Sequence, residues 1–371
     1  MKILMLNHEF PPVGGGASPV TFELCRHLIR LGHEVDVVTM RCGDLPAREK
    51  VEGINVYRTF SLRKKPDICH THEMASWLGG AAVQAGRLAQ RQNYDIIHCH
   101  FIIPAGPAAW LVSRISKIPF VITCHGSDVP GFNPERFGWD HKLLSPAWHF
   151  LVHRTPLLIS PSESLKRLIL RSCPRAKVEV VPNGINLADY QTHNKQKSIL
   201  MCSRILPRKG FQYAIEAIRQ LPSDWQVNII GDGPYLPELK RLAADCATPI
   251  TFWGWLDQKN PQFKRLYETG SIFVCPSEAE NFPVVLLEAM SAGMAIITST
   301  AGGCPEVVGE AALLVAPRDP AAIREKLDNL INSSKLRRQL CAAALEQAKH
   351  FAWPTVAQKY LQCYRKIVGK P

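Results

Sequence analysis

Short apolar runs alternate with longer amphipathic stretches along almost the whole chain. Residues 3–7 form the first apolar run, a helical period covers residues 18–31, and a second apolar run follows at residues 35–39. This alternation is typical of parallel sheets that are covered by helices on both faces. Further strands of a first sheet are predicted at residues 54–58, 96–98, 120–124, 157–160 and 178–181.

The alternation is interrupted once and then begins again. Residues 186–198 are polar and have no apolar period, which indicates a linker between two domains. A second sheet is predicted from apolar runs at residues 198–203, 226–231, 250–253, 272–275, 295–298 and 312–315, with helices at residues 210–219, 237–247 and 320–332.

We therefore predict an α/β protein of two Rossmann-like, doubly wound parallel-sheet domains, over residues 1–187 and 188–353. Pro354 should divide the helical stretch at residues 335–368, and we expect the last helix, about 354–371, to pack back on the first domain. Ligands of open parallel sheets bind outside the carboxyl ends of the strands. Two such sheets facing one another predict a cleft between the domains.

Length and composition are consistent with this architecture, and the net charge limits the classes of ligand that the protein is expected to bind. The chain has 371 residues, more than the roughly 250–300 that one hydrophobic core supports. Its net charge of +12 is shared evenly between the two halves, which suits phosphate-rich ligands, an anionic membrane surface or nucleic acid. Because no basic stripe interleaved with aromatic residues and no paired zinc ligands are found in the sequence, we do not expect nucleic acid to be a partner.

The cysteines and the apolar runs bear on the cellular location. The twelve cysteines are scattered and none forms a C-x-x-C pair, so we expect reduced, buried thiols. The apolar run at the start is too short for a secretory signal, and no run of about 18 apolar residues predicts a transmembrane helix. These patterns predict a cytoplasmic protein, with peripheral contact to the inner face of the membrane as an option.

The strongest chemical signal is a pair of glutamates in the second half. Glu280 and Glu288 are separated by seven residues and bracket the start of a helix predicted at residues 284–292. The N–H groups that begin a helix have no partner within it, so residues 282–285 form a ready anion site. Sugar and ribose hydroxyls are donors for which the two carboxylates are suitable acceptors. The alternative is a capping acid and a solvated helical glutamate.

A basic turn precedes the glutamates by about seventy residues. Arg204, Arg208 and Lys209 follow a predicted strand, and Gly210 opens the next helix. Three cations there could neutralise a diphosphate that gains charge as its bond to a sugar breaks. A tight turn at residues 231–234 allows a ligand to approach the backbone closely. A solvated, inert basic turn is the alternative.

These features together resemble glycosyltransferase family 4, whose members are retaining enzymes of the GT-B fold. The motifs that carry the resemblance occur in family order and span almost the whole chain. They are residues 12–16, 125–128, 181–185, Arg204 with Lys209, residues 231–233, and the paired glutamates followed by Ala289 and Met290.

The resemblance implies a role for each charged residue of these motifs. Arg204 and Lys209 would grip the donor diphosphate, and Glu288 would bind the ribose hydroxyls. Glu280 would hold the donor sugar, and His125 would stand near the reacting face of that sugar. The catalytic set implied by the family is therefore His125, Glu280, Arg204 and Lys209.

The resemblance also implies donor contacts from backbone and apolar groups. The backbone of Val284 and Val285 would meet the phosphates, Leu256 would lie against the base, and Gly231 would line the donor site. From the first domain, Gly15 and Gly16 would close over the diphosphate.

The chain departs from the family pattern at two places. Ser18 stands where many relatives carry a glutamate, which puts an acidic contact there in doubt. Pro283 lies where glycines are common, and it lacks the N–H that a glycine would offer to the phosphates.

The mechanism implied by the family needs neither a metal nor another cofactor. The acceptor hydroxyl attacks on the face that the nucleotide leaves, and the departing phosphate takes its proton. The sequence has no Asp-x-Asp pair at a strand end. Zinc is an alternative at residues 69–73 and 98–100, which contain histidine and cysteine, but no second ligand pair has zinc-type spacing.

We thus predict a transferase that moves a sugar from a UDP- or GDP-sugar to a carbohydrate or lipid-linked acceptor, in polysaccharide, lipopolysaccharide or glycolipid synthesis. A nucleotide-sugar epimerase, a hydrolase and a catalytically silent binding subunit are alternatives on the same fold. A nicotinamide-dependent oxidoreductase is disfavoured because residues 11–18 do not form G-x-G-x-x-G.

The acceptor is the least defined part of this prediction. Basic and aromatic side chains at residues 60–80 and 126–155 would suit an anionic membrane and a lipid-linked acceptor, although a solvated basic loop is the alternative. These side chains are Arg63, Lys64, Lys65, Trp77, Phe132, Trp139, Trp148 and Phe150.

Overall fold

The first structural unit of the protein is built on an eight-stranded sheet. The structure is a computed structural model that describes residues 1–66, 68–222 and 224–369, and it divides into one unit of residues 1–184 with 353–369 and another of residues 185–352. The strands of the first unit are β1 Lys2–Leu6, β2 Glu34–Met40, β3 Arg48–Val51, β4 Ile54–Thr59, β5 Ile96–His100, β6 Phe120–Thr123, β7 Leu158–Ser160 and β8 Val178–Val180.

These strands pair in the order β3-β4-β2-β1-β5-β6-β7-β8. Every pair is parallel except β3 with β4, which is antiparallel. Strand β3 was outside the strands predicted from apolar runs because its sequence, Arg-Glu-Lys-Val, is polar and lies at the edge of the sheet. The central strand β5 is buried along its whole length, as a parallel strand covered on both faces must be.

In the described part of the chain, five helices lie between the strands of this sheet in the chain order. They are α1 Ala17–Arg30, α2 Thr71–Arg91, α3 Ala105–Ser116, α4 Pro134–Arg154 and α5 Glu163–Ser172. The side chains of residues 134–137 and 140 lie outside the described part.

The second unit holds a six-stranded sheet that is parallel throughout. Its strands are β9 Gln196–Cys202, β10 Gln226–Ile230, β11 Ile250–Gly254, β12 Gly270–Cys275, β13 Ala295–Ser299 and β14 Ala312–Val315, in the order β11-β10-β9-β12-β13-β14. The helices are α6 Phe211–Ile218, α7 Leu236–Ala243, α8 Pro261–Thr269, α9 Val284–Ser291, α10 Cys304–Val308, α11 Pro320–Asn332 and α12 Ser334–Lys349.

The predicted pair of parallel-sheet α/β domains is confirmed, and the differences from the prediction are local. Strand β9 begins at Gln196, inside the stretch that was expected to be a linker, because its first residues, Gln196 and Lys197, are exposed and polar. The chain passes between the two units at residues 184–185 and again at 352–353.

The final helix, α13 Trp353–Val368, begins immediately before Pro354 and belongs to the first unit. Its Tyr364 hydroxyl lies 2.7 Å from Nδ1 of His98 on β5, and Trp353 stacks on His27 of α1. Residues 370 and 371 of the predicted last helix lie outside the described part.

Several side chains that were expected to face an acceptor or a membrane are buried instead. Arg63, Trp77 and Trp148 are between 0% and 4% exposed. The Arg63 guanidinium donates to the carbonyls of Lys65 and Pro66, and Trp148 donates to the carbonyl of Asp128. These residues therefore belong to the interior of the first unit.

The described part of the chain has free cysteines and no helix suited to spanning a membrane. All cysteines are free, and all except Cys246 and Cys341 are buried. Within residues 1–66, 68–222 and 224–369, no helix combines the length and the apolar character that crossing a bilayer requires.

Candidate functional site

The loops after β9, β10 and β12 lie at one edge of the second sheet. These three strands are neighbours and parallel, so their carboxyl ends meet at the same side. This is the edge at which open parallel sheets bind ligands. Most of the residues predicted to hold the donor follow directly from these strand ends or from that of β11.

The basic turn after β9 packs against the loop after β12. The Nζ of Lys209 lies 2.5 Å from Oε1 of Glu280, and the two side chains are only 12% and 11% exposed. The backbone N–H of Glu278 donates to the carbonyl of Arg208 at 2.8 Å. Two residues predicted to act on one donor are thus brought into direct contact, although 71 positions separate them.

A glycine makes this contact possible. Gly210 follows Lys209 with a φ of +74°, and a Cβ added there would lie 2.2 Å from the carbonyl oxygen of Pro276. Only glycine allows the backbone of the basic turn to approach the β12 loop so closely. The solvated, inert alternative for this turn does not fit Lys209, which is ion-paired and mostly buried.

Backbone contacts also hold Glu280 in place. The N–H of Gly303 donates to the carbonyl of Glu280 at 3.0 Å. Gly302, with a φ of +58°, comes so near that a Cβ would lie 2.0 Å from the same carbonyl oxygen. The Glu280 side chain is therefore positioned by Lys209 on one side and its main chain by the 302–303 turn on the other.

The turn after β10 is equally constrained. A Cβ on Gly231 would lie 1.9 Å from the carbonyl oxygen of Ser203, and one on Gly233 would lie 2.1 Å from that of Ile205. Ile205 in return donates its N–H to the carbonyl of Asp232 at 2.8 Å. The glycines predicted to admit a ligand are thus needed first for the packing of this turn against the segment that carries Arg204.

Helix α9 begins at Val284, directly after Pro283 and four residues after Glu280. Val284 and Val285 are half-buried and belong to the first turn. The N–H groups of a first turn lack acceptors within the helix and carry the positive end of its dipole. This helix end is therefore favourable for an anion, as the sequence predicted.

Glu288 lies in a different environment from Glu280. It is 2% exposed, and its two oxygens accept from the Tyr267 hydroxyl at 3.0 Å and from Nε2 of Gln258 at 2.5 Å. Burial raises the pKa of its carboxyl to about 7, although hydrogen bonds from Tyr267, Gln258 and Tyr190 act in the opposite direction. The alternative of a solvated helical glutamate is therefore wrong for Glu288.

Sequence reasoning did not find the partners of Glu288. Gln258 follows β11, and Tyr267 lies in α8, so they are 30 and 21 positions away in the chain. Leu256, predicted to lie against the base, is half-buried and packs on the apolar cluster that includes Tyr267. The neighbouring Trp255 is 69% exposed.

In the first unit, the glycine-rich loop before α1 is organised by an acid that the sequence analysis did not use. Glu9 accepts from the N–H of Gly15 at 3.0 Å, and its Oε1 lies 3.9 Å from the buried Arg63. Gly14 requires glycine because its φ is +119° and a Cβ would lie 2.6 Å from that of Glu9. Gly15 and Gly16 have neither constraint, since an added Cβ would meet nothing closer than 3.9 Å.

His125 follows β6 in the same unit and is held by Asp128. One oxygen of Asp128 accepts from the N–H groups of His125 and Gly126, and the other accepts from that of Ile102. Nε2 of His125 lies 2.8 Å from Nδ1 of His100 at the end of β5. Burial lowers the pKa of His125 to about 3, so its ring is neutral.

The structure therefore groups the predicted residues in two sets, one for each unit. Arg204, Lys209, Gly231, Leu256, Glu280, Val284, Val285 and Glu288 belong to the second unit, and Gly15, Gly16 and His125 belong to the first. Within the described ranges, no three His, Cys, Asp or Glu side chains cluster in a way that could hold a metal ion.

Comparisons with known proteins agree with the fold and the motifs. Residues 14–189 match the model of Glycosyltransferase Family 4, and residues 185–347 match that of Glycosyl transferases group 1. The D-inositol 3-phosphate glycosyltransferase of Frankia alni is 29% identical over 97% of both chains. An uncharacterized glycosyltransferase of Methanocaldococcus jannaschii is 27% identical over 98% of both chains.

Solved structures share the fold over the whole length. Sucrose-phosphate synthase of Thermosynechococcus elongatus superposes with a TM-score of 0.84 at 21% identity, covering 100% of this chain and 99% of that one. Anabaena HepE, solved in complex with UDP and glucose, superposes with a TM-score of 0.78 at 19% identity, covering 98% and 99%.

The class of this protein follows from these findings: it is a transferase of the GT-B type, built from two parallel-sheet α/β domains. More specifically, the chain belongs to glycosyltransferase family 4, with its first unit matched by the family 4 model and its second by the group 1 model.

Proposed function

We propose that this glycosyltransferase is a retaining enzyme that moves a sugar from a UDP- or GDP-sugar to an acceptor hydroxyl in the synthesis of a polysaccharide, lipopolysaccharide or glycolipid. The observation that carries the proposal is the contact of Lys209 with Glu280 at the ligand-binding edge of the second sheet, four residues before α9 begins. A cation, an acceptor carboxylate and a helix N-terminus there suit a sugar joined to a diphosphate. The complex of HepE with UDP and glucose supports the same ligand class.

In this proposal Lys209 donates to both the Glu280 carboxylate and the donor diphosphate. An ammonium group has three N–H donors, and Glu280 engages one of them. The other donors, with Arg204 and the first turn of α9, offset the charge that the diphosphate gains as it leaves. Glu280 accepts from a hydroxyl of the donor sugar, and Glu288 accepts from the ribose.

The bond changes of the proposed reaction balance without a protein nucleophile or a metal. The bond from the anomeric carbon to the phosphate oxygen breaks, and the bond from that carbon to the acceptor oxygen forms on the same face. The proton of the acceptor hydroxyl passes to the departing phosphate. The protein contributes positioning and charge stabilisation, which for one well-placed donor amounts to about 3 kcal/mol.

A donor screen tests the proposal. We expect one of UDP-glucose, UDP-N-acetylglucosamine and GDP-mannose to raise the melting temperature at millimolar concentration, because a ligand that binds only the native state stabilises it. Lys209→Ala should remove the shift. Lys197→Ala is the matched control, since it deletes the same charge from an exposed ion pair with Asp224 at the opposite end of β9.

The reaction class is tested with the same donor. Transfer to an acceptor with retention, seen by NMR of the anomeric proton in the product, supports the proposal. Donor breakdown that is equally fast with and without an acceptor would indicate a hydrolase, and isomerisation of the donor would indicate an epimerase. No shift with any nucleoside diphosphate sugar would count against the donor class itself.

We also propose that the acceptor is lipid-linked and is met at an anionic membrane surface. Exposed apolar side chains one turn apart on α4 support this, namely Trp139 and Leu143, which are 85% and 80% exposed. Exposed cations accompany them, including Lys142, which lies over the Trp139 ring. Such a surface suits an anionic bilayer.

Flotation with vesicles tests this second proposal. Vesicles of phosphatidylglycerol and phosphatidylcholine should carry the protein, and Trp139→Ala with Leu143→Ala should abolish the association. Phe60→Ala, which removes a 69% exposed aromatic ring from another part of the first unit, is the control. Equal flotation of all three proteins, or none for the wild type, would refute it.

A further inference from the structure

Three histidine rings of the first unit lie against one another at the ends of β5 and β6. His98 and His100 have ring centroids 4.4 Å apart, and His100 and His125 have centroids 5.1 Å apart in a stacked arrangement. His100 is fully buried, whereas His125 is half-buried. Of these three histidines, the family resemblance implies a role only for His125, so the role of the buried His100 is unassigned.

The contacts of His100 define where its proton lies. Its Nε2 is 3.2 Å from the sulfur of Met5 on β1, and its Nδ1 is 2.8 Å from Nε2 of His125. A thioether sulfur accepts weakly and never donates. Nε2 of His100 must therefore carry the hydrogen, because an unprotonated nitrogen would place its lone pair against those of the sulfur.

The proton on His125 follows from that on His100. In a neutral imidazole one nitrogen donates and the other accepts, so Nδ1 of His100 is an acceptor. Burial lowers the pKa of His100 well below its ordinary value, and the neighbouring His98, His125 and His8 lower it further. The 2.8 Å contact then requires that His125 donate from Nε2. Its Nδ1 is consequently unprotonated.

We propose that His100 is a positioning residue that holds His125 in the Nε2–H tautomer, so that His125 presents Nδ1 as a hydrogen-bond acceptor to a hydroxyl of a substrate sugar. The inference rests on the proposed function and on the sugar that the family resemblance implies beside His125. It assigns His125 an accepting role and excludes it as a proton donor to the leaving group.

The main chain around His125 is fixed independently of His100. Asp128 accepts from the backbone N–H groups of His125 and Gly126 at 2.9 and 3.0 Å. Gly126 has a φ of +104° and the Phe101 ring lies 4.6 Å from that of His125. A change at His100 should therefore alter the proton position on His125 more than the position of its ring.

The tautomer can be measured without any ligand. In protein labelled with ¹⁵N-histidine, two-dimensional spectra that correlate ring nitrogens with ring protons distinguish the Nε2–H, Nδ1–H and charged forms, and His125→Asn identifies the signals of His125. We expect a neutral Nε2–H ring for both His100 and His125 at neutral pH. An Nδ1–H tautomer or a charged ring at His125 would overturn the inference.

Two variants of His100 test its role in the reaction. The side-chain oxygen of asparagine is as many bonds from Cα as Nδ1 of histidine, so His100→Asn keeps an acceptor for His125. His100→Leu removes it. With the nucleotide sugar that gives the largest thermal shift in the donor screen, we expect His100→Leu to lower kcat/KM about tenfold, the effect of one hydrogen bond. His100→Asn should stay within about threefold of the wild type and keep the Nε2–H signal of His125.

The outcomes separate this inference from the proposed function. Equal losses in both variants, with native circular dichroism, would mean that His100 only packs, and would overturn the positioning role. If no nucleotide sugar is bound or turned over by the wild type, the proposed function fails. The ¹⁵N spectra of wild type and His100→Leu still decide whether His100 sets the tautomer of His125.

Discussion

Replacing Glu288 by glutamine should stabilise the ligand-free protein at neutral and alkaline pH. Burial raises the pKa of this carboxyl from an ordinary 4.5 to about 7. Between these values the native state binds a proton more tightly than the unfolded chain, so its stability falls as the pH rises through this window. At about 1.4 kcal/mol for each pKa unit, the cost of the ionised form is about 3 kcal/mol above pH 7.

The substitution should remove this cost with little change in packing. An amide is similar in size to a carboxylate and carries no charge. Tyr267 and Gln258 can still pair with it, because a hydroxyl both donates and accepts and a glutamine amide can turn to offer its oxygen. The variant should therefore gain about 3 kcal/mol at about pH 8 and only about 1 kcal/mol at about pH 5.

Thermal unfolding of both proteins at several pH values measures this difference. For a domain of this size, about 3 kcal/mol corresponds to a rise in melting temperature of about 6–12 °C at about pH 8, shrinking toward zero in acid. A gain that does not depend on pH would show that the carboxyl ionises normally. A loss of stability at pH 8 would show that its hydrogen bonds outweigh the cost of its burial.

Ligand binding and catalysis should respond to changes at the charged residues of the second unit, and fold stability to changes in the glycine-rich loop of the first. In the proposed donor site the ionised Glu288 accepts from the ribose, so the dissociation constant of the nucleotide sugar should fall as the pH rises from about 6 to 8. Calorimetry in buffers of different ionisation enthalpy should detect proton release on binding, and Glu288→Gln should abolish that release. On the proposed assignment Glu280 holds the donor sugar, which gains positive charge in the transition state, so Glu280→Gln should lower kcat more than it raises KM. Glu288→Gln should mainly raise KM, and the reverse pattern would mean that the roles are exchanged. Lys209→Ala should cost about 2–4 kcal/mol of transition-state stabilisation, and full activity in this variant would exclude the diphosphate role. Gly14→Ala should lower the melting temperature, because Gly14 has a φ of +119° and an added Cβ would lie 2.6 Å from that of Glu9. Gly16→Ala should leave the melting temperature unchanged, because an added Cβ would meet nothing within 4 Å, and equal losses in the two variants would contradict this reasoning.

Most strands of the two sheets could be predicted, because a buried parallel strand has a short, nearly continuous apolar sequence. Strands such as β12 and β13 are buried at every position, so their sequences are mostly apolar and the ends of the strands can be located. Strand β3 was missed because an exposed edge strand has no such run. The start of β9 was assigned to a linker for the same reason.

The contacts among the candidate site residues could not be predicted from the sequence. The pairing of Lys209 with Glu280 and of Glu288 with Tyr267 depends on which loops the sheet order brings together, and strand order is not encoded in local periodicity. The membrane interpretation of Arg63 was wrong because a basic residue in a loop has the same sequence pattern whether it is solvated or buried against carbonyls.

The two glutamates of the motif lie in different electrostatic environments. Glu280 is mostly buried, and the cation of Lys209 offsets its charge whether or not a ligand is present. The donors to Glu288 are neutral groups, the phenols of Tyr267 and Tyr190 and the amide of Gln258, and its ionisation therefore opposes folding. A carboxylate kept in that state destabilises the empty protein and becomes favourable when further hydroxyl donors reach it. In the proposed donor site Glu288 accepts from the ribose, and the stability of Glu288→Gln and its affinity for the donor should therefore change in opposite directions.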